Sequence, residues 1–349
     1  MKHALVIGAT GVIGGGIARH LALDGEWRVS CVSRAGTAVG TAAGVAVDLL
    51  EERAVAAAAR GLAPVTHVFF AGYQPRPSRT EEIEPNLALL RHAVDLAEAT
   101  GDALSRVVLV TGGKYYGLQW GAIKTPARET DPRHLGPNFY YQQHDHLQQR
   151  AQGARWSWTH LVPPYVTGFS TRAPMNLVMA IAVLATLARE QGALLRFPGP
   201  AAAWQALHHL ADASQIAEAA AWAAVSPAAA GEIFNVANGD PGRWCHLWPA
   251  IAAHFDVAAG DPLPVPLTQL AEAMAPHWEV LARRHGLVQH DIHALVDWRW
   301  ADYMFKTAFA NDVLFELGKL RRAGFHASVD SEAALRMRFD ELRQLRLIP

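Results

Sequence analysis

The chain has 349 residues, enough for one large or two modest domains with a sizeable buried core. With 51% hydrophobic and 18% charged residues it reads as globular, which excludes a disordered chain. A formal net charge of −1 argues against a general nucleic-acid surface or a polybasic membrane patch, and two cysteines, Cys31 and Cys245, cannot build a disulfide framework, which fits a reducing cytoplasm.

The opening "MKHALVIGATGVIGGG" carries an apolar run that glycines interrupt at once, unlike a signal peptide. Residues 3–7 read as a buried strand, followed by a glycine run and a helix through "IARHLAL". Further strands are expected at 28–34, 44–49, 66–72 and 105–113, with a long helix over 83–101 that a glycine stops. A helix opens at 138–152, and "WSWTHLVPPYVTG" (156–168) reads as a sixth strand running into a proline turn. Strands alternating with helices, the strands apolar throughout, predict a Rossmann-like doubly wound parallel sheet. After about residue 170 alanine-rich helices dominate. The expected division is a dinucleotide-binding domain over 1–168, rejoined by strands at about 205–240, and a mainly helical substrate-binding region over 169–349. The most lipid-like stretch, 177–188, falls short of the ~20 residues that span a bilayer.

Gly8, Gly11 and Gly14 form G-x-x-G-x-x-G in the first βα turn, the context that phosphate cradling by bare backbone requires. Thr10, Val12 and Ile13 complete that loop and helix start. Strand two ends at Ser33-Arg34, and no acid for a ribose 2′-hydroxyl occurs between 28 and 47. Arg34 offers charge to a 2′-phosphate, which predicts NADPH over NADH. Asp48 and Leu49 end strand three, where the adenine is expected; a helix-capping role for Asp48 is equally open. Asn86, mid-helix, is expected to bridge backbone segments near the cofactor.

Open parallel sheets bind ligands at the carboxyl ends of their strands. That rule adds Ala71 and Gly72 after strand four and Thr111 and Gly112 after strand five. It also adds the turn Pro163, Tyr165 and Val166 with Ser170 behind it. "TGGKYYG" (111–117) places Lys114 at the same mouth, and "NFYYQQHD" (138–145) brings Tyr140 and Tyr141 past it on the next helix.

These two motifs resemble those of the progesterone 5β-reductase/iridoid synthase-like family, an extended branch of the short-chain dehydrogenases/reductases. Thr111-Gly112-Gly113-Lys114-Tyr115-Tyr116 matches its lysine motif, and Asn138-Phe139-Tyr140-Tyr141 its tyrosine motif. "GFS" (168–170), "MNL" (175–177), "RFPG" (196–199), "FNVANGD" (234–240) and the "LIP" terminus extend the match along the whole chain. The resemblance implies Lys114 and Tyr140 as catalytic residues, NADPH as reductant, a C=C bond conjugated to a carbonyl as substrate, and a homodimer. Chemically, hydride addition to an enone pushes charge onto the carbonyl oxygen, which a tyrosine hydroxyl beside an ammonium would hold; the ammonium is expected to lower the tyrosine pKa.

Three positions depart from the family. Ala122-Ile123 replaces Pro-Phe, His144-Asp145 replaces Glu-Asp, and Val162-Pro163 replaces Arg-Pro. His144 is read as a helix-surface residue or one lying behind the site. The expected substrate pocket takes Tyr73, Ile123, Met175, Trp204 and Phe305, the last from an aromatic segment (296–305) that suits either core packing or an apolar lid. The 17 histidines show no accompanying cysteine or acid set, so no metal site is expected. Two other readings stay open: a nucleotide-sugar epimerase/dehydratase or carbonyl reductase, and a cofactor-binding sensor without turnover.

Overall fold

The computed structural model describes residues 1–170 and 173–349. The chain forms β1 (Lys2–Ile7), β2 (Trp27–Ser33), β3 (Ala43–Ala46), β4 (His67–Phe70), β5 (Arg106–Val110) and β6 (Ser157–Val162). It continues through β7 (Tyr165–Thr167), β8 (Leu195–Arg196), β9 (Leu207–Asp212), β10 (Glu232–Asn235), β11 (Pro241–Arg243) and β12 (Ala259–Gly260). Four helices precede β6: α1 (Val12–Leu23), α2 (Glu52–Ala59), α3 (Ile83–Ala99) and α4 (Phe139–Arg150). The rest follow it as α5 (Leu177–Glu190), α6 (Ala201–Gln205), α7 (Ala213–Val225), α8 (Trp244–His254), α9 (Leu267–His285), α10 (Ile292–Leu295), α11 (Trp298–Lys306), α12 (Gly318–Arg322) and α13 (Ser331–Gln344).

Seven strands pair in parallel in the order β10-β6-β5-β4-β1-β2-β3. Side chains alternate across this sheet, and both faces are covered. Ala4 and Val6 of β1 pack with Ile17 and Leu21 of α1 and Ile216 and Ala220 of α7. Leu5 and Ile7 face the opposite way, towards Leu90, Val94 and Ala97 of α3. The order reverses between β1 and β4, so the carboxyl ends of these strands open a crevice.

The sixth strand ends earlier than its apolar run suggests. Pro163 and Pro164 lack backbone N–H groups and interrupt pairing after Val162. The chain re-enters extended structure as β7, which joins a separate sheet in the order β11-β9-β7. Of the later strands, β10 joins the main sheet beside β6, while β9 pairs with β7. β3 also stops short, at Ala46; Asp48 lies in the following loop, where its Oδ1 accepts from Leu50 N at 3.0 Å.

The second half carries its own core, rich in aromatics. Phe197, Trp244, Trp248, Phe305 and Phe309 pack ring against ring at centroid separations of 5.1–6.4 Å. Truncating one such ring typically costs about 3–5 kcal/mol. No described helix is long and apolar enough to cross a membrane.

Candidate active site

The first βα turn needs glycine for steric reasons. Gly8 sits at φ +78°, and a Cβ there would lie 2.4 Å from the Ala71 carbonyl oxygen. A Cβ on Gly14 would lie 2.3 Å from the Gly8 carbonyl oxygen. Gly11 caps α1 without any side-chain hydrogen bond, so first-turn N–H groups are left for an incoming anion. These features fit a dinucleotide pyrophosphate.

A cleft of about 330 Å³ opens over this turn. Gly11, Val12, Ile13 and Gly14 form its floor, with Ala71 and Gly72 after β4 and Thr111 and Gly112 after β5. Pro164, Tyr165 and Val166 border it after β6, and Lys114 and Tyr140 reach it from separate segments. Thr10 and Ser170 lie next door, joined by a 2.8 Å bond from Ser170 Oγ to the Thr10 carbonyl. Ser33, Arg34, Asp48 and Leu49 lie on the β2–β3 side of the sheet, outside this cleft. Pro163 is buried beside it, its carbonyl oxygen 3.9 Å from where a Cβ on Gly112 would be.

Lys114 stands on a single 3-10 turn after β5, and Tyr140 on the first turn of α4. Asn138 connects them: its Oδ1 accepts from Tyr140 N at 3.1 Å, and its Nδ2 donates to the Lys114 carbonyl at 2.7 Å. The Tyr140 hydroxyl lies over Gly112, 3.6 Å from where a Cβ there would stand. Burial pushes the Tyr140 pKa above its ordinary value, with the Glu82 charge adding to the rise. The lowered tyrosine pKa expected from the neighbouring ammonium is therefore corrected: desolvation wins, and the phenol stays protonated.

The lysine is also shifted. Burial brings Lys114 down to about 8; Arg79 repels its charge and Glu82 attracts it. Its Nζ donates to the Tyr73 hydroxyl at 3.4 Å and lies 4.8 Å from that ring's centroid. Tyr73 in turn donates to the Glu82 carboxylate, which Arg79 pairs at 3.2 Å. Glu82 is buried and was missed in the sequence, because an acid at a helix start reads as dipole complement. Asn86 acts on this loop: its side chain exchanges two 2.8 Å hydrogen bonds with the Gln74 backbone, and its own carbonyl accepts from Gln143 Nε2.

Among the expected pocket residues, Tyr73 and Met175 line the cleft. Phe305, Trp204 and Ile123 do not. Phe305 is fully buried in the aromatic core, Trp204 packs tilted against Phe197 at a centroid separation of 5.4 Å, and Ile123 packs against the C-terminal core. Their place is taken by Trp300, Tyr303 and Met304 of α11, with Leu118 and Gln119 beyond the lysine turn. His144 is not on the helix surface. It is buried behind Tyr115, edge-on to Trp158 at 4.9 Å, and burial lowers its pKa to about 4, which keeps it neutral. No described group of three or more His, Cys, Asp or Glu residues is arranged to hold a metal ion.

A glycine-floored crevice at the strand ends, walled by a lysine and a tyrosine, defines an oxidoreductase of the short-chain dehydrogenase/reductase type. The profile of the PRISE-like Rossmann-fold domain matches residues 42–349, and the chain belongs to that family. It is 31% identical to an (S)-8-oxocitronellyl enol synthase of Nepeta cataria, over 99% of this chain and 93% of that one. It is 28% identical to a 3-oxo-Delta(4,5)-steroid 5-beta-reductase of Arabidopsis thaliana, with the same coverage. Among solved structures, a GDP-mannoheptose C4 reductase from Campylobacter jejuni with NADP bound superposes with a TM-score of 0.68 over 98% of both chains. At 11% identity that likeness shows the fold alone.

Proposed function

We propose that the enzyme reduces the C=C bond of α,β-unsaturated carbonyl compounds with NADPH. What supports this reading is the convergence of Lys114 and Tyr140 on one largely apolar cleft above the glycine turn. The glycine turn at Gly8, Gly11 and Gly14 would hold the dinucleotide, which would supply hydride for the substrate's β-carbon. The Tyr140 hydroxyl, which burial keeps protonated, donates to the carbonyl oxygen as it gains enolate charge. The Lys114 ammonium, steadied by Tyr73, adds positive potential to the same region. Trp300, Tyr303 and Met304 exclude water and favour a hydrophobic substrate body over a nucleotide sugar. Arg34, exposed at the end of β2 with no acid between 28 and 47, favours NADPH over NADH.

The test follows NADPH oxidation with a panel of conjugated enones, saturated ketones and UDP-sugars. Oxidation with enones is expected, and Tyr140→Phe is expected to lower turnover by ~10²–10³. Oxidation by saturated ketones at equal rates, or sugar epimerisation without net NADPH use, would overturn the reading.

A further inference from the structure

A second cavity, of about 250 Å³, shares Gly11 with the active-site cleft. Thr10 of the glycine turn and Thr37 and Ala38 of the segment after β2 line it. That segment turns back sharply at Arg34: Gly36 N donates to the Ser33 carbonyl at 3.1 Å, and Thr37 N to Ser33 Oγ at 3.0 Å. In dinucleotide-binding folds the end of the second strand is where the adenosine ribose is read.

Arg19 of α1 brings a charged side chain to the lining of this cavity. It is half-buried, its guanidinium carbon 5.4 Å from the Phe169 ring centroid. Among the described residues it has no hydrogen bond or ion pair, although a guanidinium carries five donors. Burial disfavours its charge; of the α13 groups facing it, Glu341 attracts and Arg338 repels. Glu341 is already engaged by Arg338 at 2.7 Å, and Arg338 is also bound to Asp212. A half-desolvated cation without an anion, beside hydroxyl-bearing Thr10 and Thr37, is the donor set of a phosphate monoester site.

We propose that Arg19 is a second cation for the 2′-phosphate of NADPH, acting with Arg34 at the end of β2 and setting cofactor specificity. This rests on the NADPH reading above. The ring of Phe169 holds the guanidinium in place, so the site is organised before the phosphate arrives.

Wild type, Arg19→Ala, Arg19→Lys and Arg34→Ala are titrated with NADPH and NADH, and with 2′,5′-ADP and ADP, by calorimetry, and their thermal midpoints are recorded. Arg19→Ala is expected to weaken NADPH and 2′,5′-ADP roughly ten- to a hundredfold, with NADH, ADP and the midpoint unchanged. Arg19→Lys is expected to recover part of that loss. Equal weakening of phosphorylated and unphosphorylated ligands, or none, would overturn the role of Arg19. Wild type that binds NADH as tightly as NADPH would remove the NADPH reading and this inference together. Discrimination that Arg34→Ala abolishes and Arg19→Ala preserves would remove this inference alone.

Discussion

The side-chain amide of Asn138 donates to the main-chain carbonyl of Lys114 at 2.7 Å. The residue that caps the tyrosine's helix thus also holds the lysine's turn, and one side chain sets the geometry between two distant segments. Asn138→Ala removes both bonds. It is expected to destabilise by about 1 kcal/mol for the cap and about 1 more for the lost hydrogen bond. Turnover should fall at least roughly tenfold, because small misplacements at a reacting centre are costly. Asn138→Asp keeps an N-cap acceptor but loses the amide donor. Denaturant unfolding should show at most the cap's share of the stability restored while turnover stays low; full recovery of both would mean that the link to Lys114 is idle.

The pH profile reports the charge on Lys114. With its pKa lowered to about 8, the ammonium predominates below that pH and is lost above it. An enzyme that uses the ammonium should show kcat/KM falling as pH rises through about 8. Glu82→Gln removes the attracting charge and should move this limb to lower pH; Arg79→Gln removes the repelling one and should move it to higher pH. A limb that neither substitution displaces belongs to another group.

The two faces of α11 give opposite phenotypes. Trp300, half-buried, lines the cleft, whereas Phe305 is sealed in the core. Trp300→Ala should raise KM for bulky enones several-fold with NADPH binding and melting unchanged. Phe305→Ala should cost about 3–5 kcal/mol of stability and leave the KM of the surviving folded fraction close to wild type. Urea unfolding and steady-state kinetics on the same samples separate the two.

Acid stability depends on a buried pair. Arg338 Nη2 lies 2.6 Å from Asp212 Oδ1, and Asp212 also caps α7 through Ser214 N. Burial pushes the Asp212 carboxyl up, but the Arg338 hydrogen bonds and charge outweigh it and hold the pKa below the ordinary value. Its stabilisation is therefore present at neutral pH and lost as pH falls through the folded-state pKa. Arg338→Leu leaves a buried carboxylate alone and should cost about 3–5 kcal/mol at pH 7. Its deficit should shrink on acidification, as Asp212 takes up a proton in the variant at higher pH than in wild type.

Much of the dinucleotide half was legible because parallel strands covered on both faces are apolar throughout, and because the glycine turn has a steric reason readable from its context. Lys114 and Tyr140 were legible through motifs whose neighbours, Asn138 above all, serve to place them. The wall of the cleft was harder. Both faces of α11 are apolar: Trp298, Ala301 and Phe305 point inward while Trp300, Tyr303 and Met304 reach the cleft. Helical spacing identifies the two sets but not which faces the substrate, and Phe305 was chosen from the wrong one. The departure of β7 from the main sheet follows a local signal, Pro163-Pro164, but its new partner β9 is more than forty residues later. Arg19 carries no signal in the sequence; residues 37–40 and Phe169, distant along the chain, enclose it in the fold.

Residues 118–137, just beyond the lysine turn, are fastened to the segment that follows α11. Ala127 N donates to the Leu314 carbonyl and Glu316 N to the Ala127 carbonyl, both at 2.8 Å, and Thr125 Oγ1 reaches the Asp312 carbonyl at 3.0 Å. A chimera that takes only its C-terminal half from a relative brings a foreign segment to this seam, and any shift of that backbone passes through residues 125–127 towards the lysine turn. Exchanging residues 118–137 and 296–316 as one cassette keeps both sides of this seam together, so the α11 wall of the cleft can be altered with the lysine turn left in place.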